Sequence, residues 1–243
     1  MGIIKDLLSD PGLVNQIADE AYDLKIRLGG DLPECFLENR CIDSVVKKGA
    51  DINIIKERRF CCDSIIKLSA VLWYRGGISV YESTYDAISF DFSGCLMARF
   101  RMDGRYYAAH IHCDDNHQND SRHVWANFMN LHRNRISDLT IFQPGHCLRK
   151  FKSTWGIIES DGTCYSILLE ESQGGRKVEI LDIIRHERYG RSIDDYPIVQ
   201  QFAQIPQGTV GDGAFKTQRD LLNDFWKTRT WEVKYSKNSY NGC

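Results

Sequence analysis

One short segment of the chain combines a thiol with an imidazole. In "FDFSGCLMARFRMDGRYYAAHIHC", residues 90–113, Cys95 directly follows Ser-Gly and His110 comes 15 positions later. A cysteine thiol with an ordinary pKa of about 8.5 is mostly protonated at neutral pH, and an adjacent imidazole that accepts its proton generates the attacking thiolate. The alternative is that Cys95 is a small buried hydrophobic residue, which is the usual role of a cysteine in a protein of this kind.

The turn between the two residues decides whether they can meet. Met102–Gly104 is a hairpin signal between two segments of alternating polarity. If the first two residues form the turn, Cys95 lies directly opposite His110. If the last two form it, His110 faces Met97 and Cys95 is its diagonal neighbour on the same face. A three-residue loop would instead place the thiol and the imidazole on opposite faces of the sheet.

The segment resembles the catalytic region of two groups of bacterial toxin glutamine deamidases, the cytotoxic necrotizing factors and the Burkholderia lethal factor 1 group. Both carry a Leu-Ser-Gly-Cys motif with a catalytic histidine downstream, and "FSGC" followed by His110 is similar. Phe92 stands in place of the motif's Leu, a change of apolar size that we expect to leave the chemistry untouched. Ser89 stands where lethal factor 1 has a threonine. The resemblance covers about residues 85–130.

The resemblance implies a cysteine-dependent deamidase that converts a protein-bound glutamine to glutamate through a thioester, with transglutamination as a side activity when an amine replaces water. It implies no metal and no organic cofactor. The site residues we expect are Cys95, His110 and Ser89 as the catalytic group, the backbone N–H groups of Gly94 and Cys95 as the oxyanion site, and Ser93 and His112 at the rim.

The same resemblance implies a host protein as substrate and partner, either a Rho-type GTPase or a translation initiation helicase. The N-terminus "MGIIKDLLSDPG" lacks the features of a signal peptide. We therefore expect a monomer that is made in the bacterial cytoplasm without a classical signal peptide and is delivered to the host cytosol.

Composition narrows the class of protein. The chain has 243 residues, of which 42% are apolar and 26% charged, so it is long enough for one substantial core. Its net charge of −2 provides no basic field for nucleic acid, and no apolar run is long enough to span a membrane. The nine cysteines show no framework spacing, which favours reduced thiols.

The periodicity of the chain predicts one α+β domain over 1–243, with an antiparallel or mixed sheet flanked by helices, as in the deamidase toxins. A helix follows Asp10-Pro11 and ends at Gly29-Gly30. The predicted parts are a helical region over about 1–75, with helices over 34–48 and 62–74, a sheet-rich catalytic core over about 78–190, and a C-terminal helix over about 212–230. "VLWY" at 71–74 is also typical of a strand, and "DSRHVWANFMNLHRNRI" predicts a further helix within the core.

Three other interpretations use the same residues. "HIHCDDNH" contains competent zinc ligands in His110, Cys113, Asp114 and His117, although their spacing matches no standard site. The thiol and imidazole would also suit a protease or a peptidoglycan amidase, which an acidic or amide third residue on the histidine would favour. A non-enzymatic interaction protein, such as an immunity or adaptor protein, would instead bury Cys95.

Overall fold

The computed structural model confirms the α+β class, with two mixed sheets and few helices. It describes residues 2–29, 34–35, 45–58, 61–75, 77–113, 121, 124–125, 128–129, 132–147, 153–172, 177–186 and 232–235. The C-terminal helix predicted over about 212–230 lies outside the described residues. None of the helices in the described part of the chain is long and apolar enough to cross a membrane.

Two α-helices and thirteen strands have defined bounds in the described part of the chain, together with short 3-10 helices over Arg133–Arg135 and Pro144–Cys147. The helices are α1 (Ile3–Ser9) and α2 (Leu13–Gly29). The strands are β1 (Glu34–Cys35), β2 (Val45–Lys47), β3 (Gly49–Arg58), β4 (Cys61–Val71), β5 (Ile78–Glu82), β6 (Asp86–Ser89), β7 (Leu96–Met102), β8 (Arg105–Ile111), β9 (Ile136–Phe142), β10 (Ser153–Ile158), β11 (Cys164–Ser172), β12 (Lys177–His186) and β13 (Glu232–Tyr235). Sheet 1 has the order β1-β2-β5-β8-β7-β9, and sheet 2 has the order β13-β12-β11-β10-β6-β4-β3.

The two sheets pack face to face, and each carries helical residues on its outer face. Side chains of α1 and α2 pack on the outer face of sheet 2, where they meet Ile54 and Leu68. Trp125 and Phe128, both helical, pack on the outer face of sheet 1. A third apolar cluster, which includes Cys95, Met97 and Ala108 of sheet 1, fills the space between the sheets. We call this space the inter-sheet layer.

The first predicted helix is confirmed in α2. The Asp10 side chain accepts a hydrogen bond from the Gly12 N–H at 3.1 Å, so the aspartate caps the chain just before the helix. Val14, Ile17 and Leu24 follow at helical spacing and are buried against sheet 2.

The prediction of helices over 34–48 and 62–74 is wrong where the structure describes these residues. The described residues of the two ranges belong to β1, β2 and β4 or to the segments beside them. The helical N-terminal region therefore ends at Gly29 rather than near residue 75. The last part of β4, residues 68–71, is buried on both faces, with Leu68 toward the helices and Val71 in the inter-sheet layer. Ile65, earlier in the strand, is apolar although it is 61% exposed. The apolar residues of β4 therefore do not alternate with polar ones, which explains why its period was misread.

The β7–β8 hairpin adopts one of the three predicted registers. Asp103 and Gly104 form a two-residue turn, both with positive φ (49° and 84°), and Met97 faces His110. Aspartate and glycine tolerate this left-handed backbone, which matches the twist of the flanking strands. Cys95 is therefore the diagonal neighbour of His110, one residue before β7 begins.

Candidate active site

The predicted site residues meet at one end of the β-sandwich. Ser89 is the last residue of β6, and it pairs with Val71 at the end of β4. His110 lies near the end of β8, and Cys95 comes just before β7, whose first residues pair with the ends of β8 and β9. Ser89 belongs to sheet 2, whereas Cys95 and His110 belong to sheet 1, so the site spans the inter-sheet layer.

A hydrogen-bonded chain determines which nitrogen of His110 carries the proton. The Ser89 Oγ lies 2.6 Å from the Val71 carbonyl oxygen and 2.8 Å from the His110 Nδ1. A carbonyl oxygen can only accept, so the single hydroxyl proton of Ser89 is donated to Val71. Ser89 then accepts from His110, which places the imidazole proton on Nδ1 and leaves a lone pair on Nε2.

The Nε2 atom of His110 is buried and has no hydrogen-bond partner among the described residues. Burial, and secondarily the charge of His112, lower the pKa of His110 from its ordinary value of 6.5 to about 3. The imidazole is therefore neutral at neutral pH. A neutral imidazole with an available lone pair on one nitrogen can accept a proton from a neighbouring group.

Cys95 shares a face with His110. Ala108 and His110 are two residues apart on β8 and so project to the same side, and Ala108 packs with Cys95 and Met97 in the inter-sheet layer. The Cys95 thiol is reduced and its side chain is only 4% exposed. The thiol is thus buried, whereas Ser93, two residues before it, is exposed.

A left-handed residue directs Phe92 into the site. Ile88 and Phe90 project toward the helices, so continued alternation would send Phe92 to the same side. Asp91 has φ of 61°, a conformation that aspartate tolerates, and this changes the phase so that Phe92 enters the inter-sheet layer. Its ring stacks on His110 with centroids 4.2 Å apart and planes 7° apart. Phe92 therefore contacts the imidazole face, a contact the sequence interpretation of this position missed.

Ser93 and Gly94 form the exposed edge of the site. Ser93 is exposed, Gly94 is half-buried, and a Cβ on Gly94 would meet nothing within 4 Å. The side-chain amide of Gln143 donates to the Gly94 carbonyl at 2.9 Å. Gly145 packs so closely that an added Cβ would lie 2.9 Å from the carbonyl carbon and oxygen of Ser93. Gln143 was not predicted as a site residue, because the local signal in this segment is the turn pair Pro144-Gly145 that follows it.

His112 lies nearer the surface than His110 on the same strand end. Its side chain is buried, and its ring makes an edge contact at 5.5 Å with Trp73, which is 43% exposed. His112 also lowers the pKa of His110 through charge repulsion. The predicted position of His112 at the rim of the site stays a prediction.

Ser89 thus contacts the His110 imidazole, and the hairpin register makes Cys95 the diagonal neighbour of His110. No protein-family model, curated protein or solved structure matches this chain.

The zinc-site interpretation finds no support among the residues described. No group of three His, Cys, Asp or Glu side chains in the described part of the chain could hold a metal ion. Asp114 and His117 lie outside the described residues. The Cys113 thiol donates to the Ile111 carbonyl at 3.5 Å.

A second serine–histidine pair occupies the same inter-sheet layer. Ser166 Oγ lies 2.8 Å from the Pro144 carbonyl oxygen and 2.6 Å from His186 Nε2. By the same reasoning, Ser166 donates to Pro144 and accepts from His186, so the proton of this imidazole is on Nε2. Cys164 lies directly across the strand pair from His186. Both side chains are at most 2% exposed, which makes this pair a matched comparison for the first.

A cavity of about 460 Å³ lies elsewhere, beside α1. Its lining includes Lys5, Leu8, Glu159 and Tyr165. Burial raises the pKa of Glu159, whose carboxylate accepts from the Ile4 N–H at the start of α1. The cavity includes none of the residues around Cys95, so it is not part of the candidate active site.

Proposed function

We propose that this protein is a cysteine-dependent deamidase of protein-bound glutamine. The observation that carries the proposal is the Val71–Ser89–His110 hydrogen-bonded chain, which leaves Nε2 of a neutral imidazole as a proton acceptor on the face that Cys95 shares. The "FSGC" segment and its resemblance to the toxin deamidases supply the substrate class. A Rho-type GTPase and a translation initiation helicase are the first two substrates to test.

In the first half of the reaction, Cys95 Sγ attacks the side-chain amide carbon of glutamine as its proton passes to His110 Nε2. The backbone N–H groups of Gly94 and Cys95 stabilise the oxyanion that forms on the amide oxygen. The C–N bond then breaks, the imidazolium donates its proton to the departing nitrogen, and ammonia leaves a thioester on Cys95.

In the second half, water replaces ammonia. His110 Nε2 accepts a proton from the attacking water, the C–S bond breaks, and the proton returns to the thiol. The product is glutamate, which adds one negative charge to the target. An amine in place of water gives an isopeptide bond, which accounts for a transglutaminase side activity.

The low pKa of His110 favours proton transfer during attack over a resting ion pair. With a pKa of about 3, the imidazole does not hold a proton at neutral pH in the resting protein. The developing negative charge on the substrate oxygen and the neighbouring serine offset this penalty only once the substrate is bound. The thiol is accordingly activated by substrate rather than before it arrives.

The third group on His110 distinguishes this proposal from the other thiol hydrolases considered. An acidic or amide residue on the histidine would favour a protease or amidase. His110 Nδ1 instead contacts the hydroxyl of Ser89. A hydroxyl at this position is what the lethal factor 1 resemblance implies.

An interaction protein is the second candidate, and the burial of Cys95 favours it. At 4% exposure, the thiol can meet a substrate only if Ser93 and Gly94 move or a narrow path opens beside them. An added Cβ on Gly94 would meet nothing within 4 Å, so there is open space beside this residue. If Cys95 is inert in the native protein, the interaction protein replaces the deamidase.

The proposal is tested by ammonia release and site-resolved mass spectrometry. The full chain is incubated with casein, a Rho-type GTPase or the initiation helicase, and glutamine-to-glutamate conversion is located by peptide mapping. We expect conversion by wild type and none by Cys95→Ser or His110→Ala. Cys164→Ser and His186→Ala, which change the other cysteine–histidine pair, are the matched controls and should retain it.

Iodoacetamide labelling of the native protein separates the alternatives. Labelling at Cys95 that slows in His110→Ala, without conversion of any glutamine, would move the assignment to another thiol hydrolase. A Cys95 that resists labelling in the native state, together with no conversion of any glutamine, would remove the enzyme interpretation.

A further inference from the structure

Gln143 makes the contact that determines how the peptide before the nucleophile is oriented. This residue follows the end of β9, and its Nε2 donates to the Gly94 carbonyl oxygen at 2.9 Å across 49 residues of sequence. The Gly94 carbonyl belongs to the same peptide unit as the Cys95 N–H. A contact on this carbonyl therefore controls the direction of that N–H.

Trans geometry makes the direction specific. The structure contains no cis peptide among its described residues, and in a trans peptide the C=O and N–H bonds point in opposite directions. When Gln143 holds the Gly94 oxygen, the Cys95 N–H points in the opposite direction, away from Gln143. Glycine at 94 has wide rotational freedom, so without an external contact this peptide unit could rotate.

We propose that Gln143 is a positioning residue that orients the Cys95 N–H as an oxyanion donor. The inference rests on the proposed function, since it assigns the support for the oxyanion site of that reaction. Gln143 does not touch the reacting atoms. It acts through the peptide unit whose N–H stabilises charge only in the transition state.

The residues after Gln143 brace the neighbouring peptide unit. Gly145 lies against the carbonyl group of Ser93, with no room for a side chain. The Pro144 carbonyl is in turn held by Ser166 from sheet 2. The 143–145 segment therefore touches two successive peptide units before Cys95, and its contact with the Gly94–Cys95 unit is the hydrogen bond from Gln143.

Two reactions of Cys95 separate this role from a general effect on the thiol. Alkylation by iodoacetamide needs a reactive sulfur but forms no oxyanion, whereas acylation by p-nitrophenyl acetate needs both. In Gln143→Met, which keeps the side-chain volume but cannot donate, we expect acylation to slow by about tenfold while alkylation changes less than twofold. This is smaller than the roughly 10²-fold loss typical when an oxyanion donor itself is removed.

Two further variants make the test decisive. Gln143→Glu places a carboxylate beside the Gly94 carbonyl oxygen, and the two acceptors repel each other. This variant should therefore slow acylation more than Gln143→Met does. Ser166→Ala loosens the same turn without touching Gly94 and should leave the acylation-to-alkylation ratio unchanged, with thermal melting confirming that each variant is folded. Equal slowing of both reactions in Gln143→Met, or the same change of ratio in Ser166→Ala, would overturn the inference while leaving the deamidase proposal intact. A wild-type Cys95 that undergoes neither reaction would overturn the proposed function itself.

Discussion

The inter-sheet layer holds two serine–histidine pairs that are built alike, and a cysteine lies near each. In both pairs a serine hydroxyl donates to a backbone carbonyl and accepts from an imidazole, which fixes the tautomer. Ser89 and Ser166 both face Gly156 across neighbouring strands, so they are about 10 Å apart. We refer to them as the Ser89 pair and the Ser166 pair.

The pairs differ in what lies beyond the imidazole. The Ser89 pair adjoins Ser93, which is exposed, and a peptide unit that is held by Gln143. The Ser166 pair supports the turn that begins at Pro144. Both cysteines are buried, Cys95 at 4% and Cys164 at 2% exposure. We propose that the exposed segment before Cys95 and its oriented peptide unit distinguish the candidate site from the Ser166 pair.

Removal of the two thiols should give the largest contrast. Cys95→Ala should lower glutamine deamidation by on the order of 10⁴-fold, because no other group can form the thioester. Cys164→Ala should change it less than threefold and cost about 1 kcal/mol of unfolding free energy, since it removes only buried sulfur. Steady-state ammonia release and urea denaturation measure the two effects. Similar losses of activity in both variants would remove the functional distinction between the pairs.

The next contrast is between His110 and His186 in how the free energy of unfolding depends on pH in the acid range. Below the ordinary imidazole pKa of 6.5 the unfolded chain takes up a proton at His110, while the native protein does so only near pH 3. Above pH 6.5 the titration of His110 therefore does not lower the free energy of unfolding. As the pH falls below 6.5, the free energy of unfolding decreases by at most about 1.4 kcal/mol per pH unit. His110→Asn keeps a donor for Ser89 but does not titrate, so its unfolding free energy should depend less on pH.

The control for this measurement is His186→Asn, which leaves His110 in place. Urea denaturation from mildly acidic to neutral pH gives the difference in slope between each variant and wild type. The slope assigned to His110 must persist in His186→Asn. If His110→Asn retains the full wild-type slope, the buried neutral state of His110 is refuted.

Substitution of the two serines should affect different properties, turnover at Ser89 and stability at Ser166. Ser89→Ala leaves the imidazole free to rotate and to change tautomer, so we expect about a 10- to 100-fold loss of turnover with little change in substrate affinity. Ser166→Ala leaves the buried Pro144 carbonyl without its donor and should cost about 1–3 kcal/mol of stability with turnover within threefold of wild type. Kinetics and thermal melting on the same samples measure both, and Ser89→Thr should restore most of the activity.

Phe92 should give the smallest effect. Phe92→Leu removes the ring that stacks on His110, an interaction of about 0.5–1.5 kcal/mol, and restores the residue of the toxin motif. We expect a two- to tenfold loss of turnover, because a free energy of this size in the activation barrier changes a rate by about that factor. The matched change Phe142→Leu acts on the ring beside His186 and should affect melting temperature but not turnover. Unchanged turnover in Phe92→Leu would support the simpler view that only apolar volume matters at this position.

Local sequence signals predicted the features that depend on near neighbours in the chain. Asp103-Gly104 determined the turn and hence one of the three possible registers between Cys95 and His110. Asp10 and the helical spacing of apolar residues predicted α2. Cys95 and His110 were predicted from residue type and spacing, Ser89 was implied by the resemblance to lethal factor 1, and the structure brings Ser89 into contact with His110. Strand β4 was misread as a helix, because the exposed Ile65 and the burial of residues 68–71 on both faces hide the alternation that identifies a strand.

The sequence by itself determined the hairpin, the first long helix and the residue types available for chemistry, because turns, caps and amphipathic faces depend on residues a few positions apart. Only the tertiary structure decided that Val71 accepts from Ser89, that Phe92 covers the imidazole and that Gln143 holds Gly94. These contacts join separate strands and, at His110, the two sheets. Their geometry is set by how the layers pack, and no local pattern in the chain encodes the distance between two sheets.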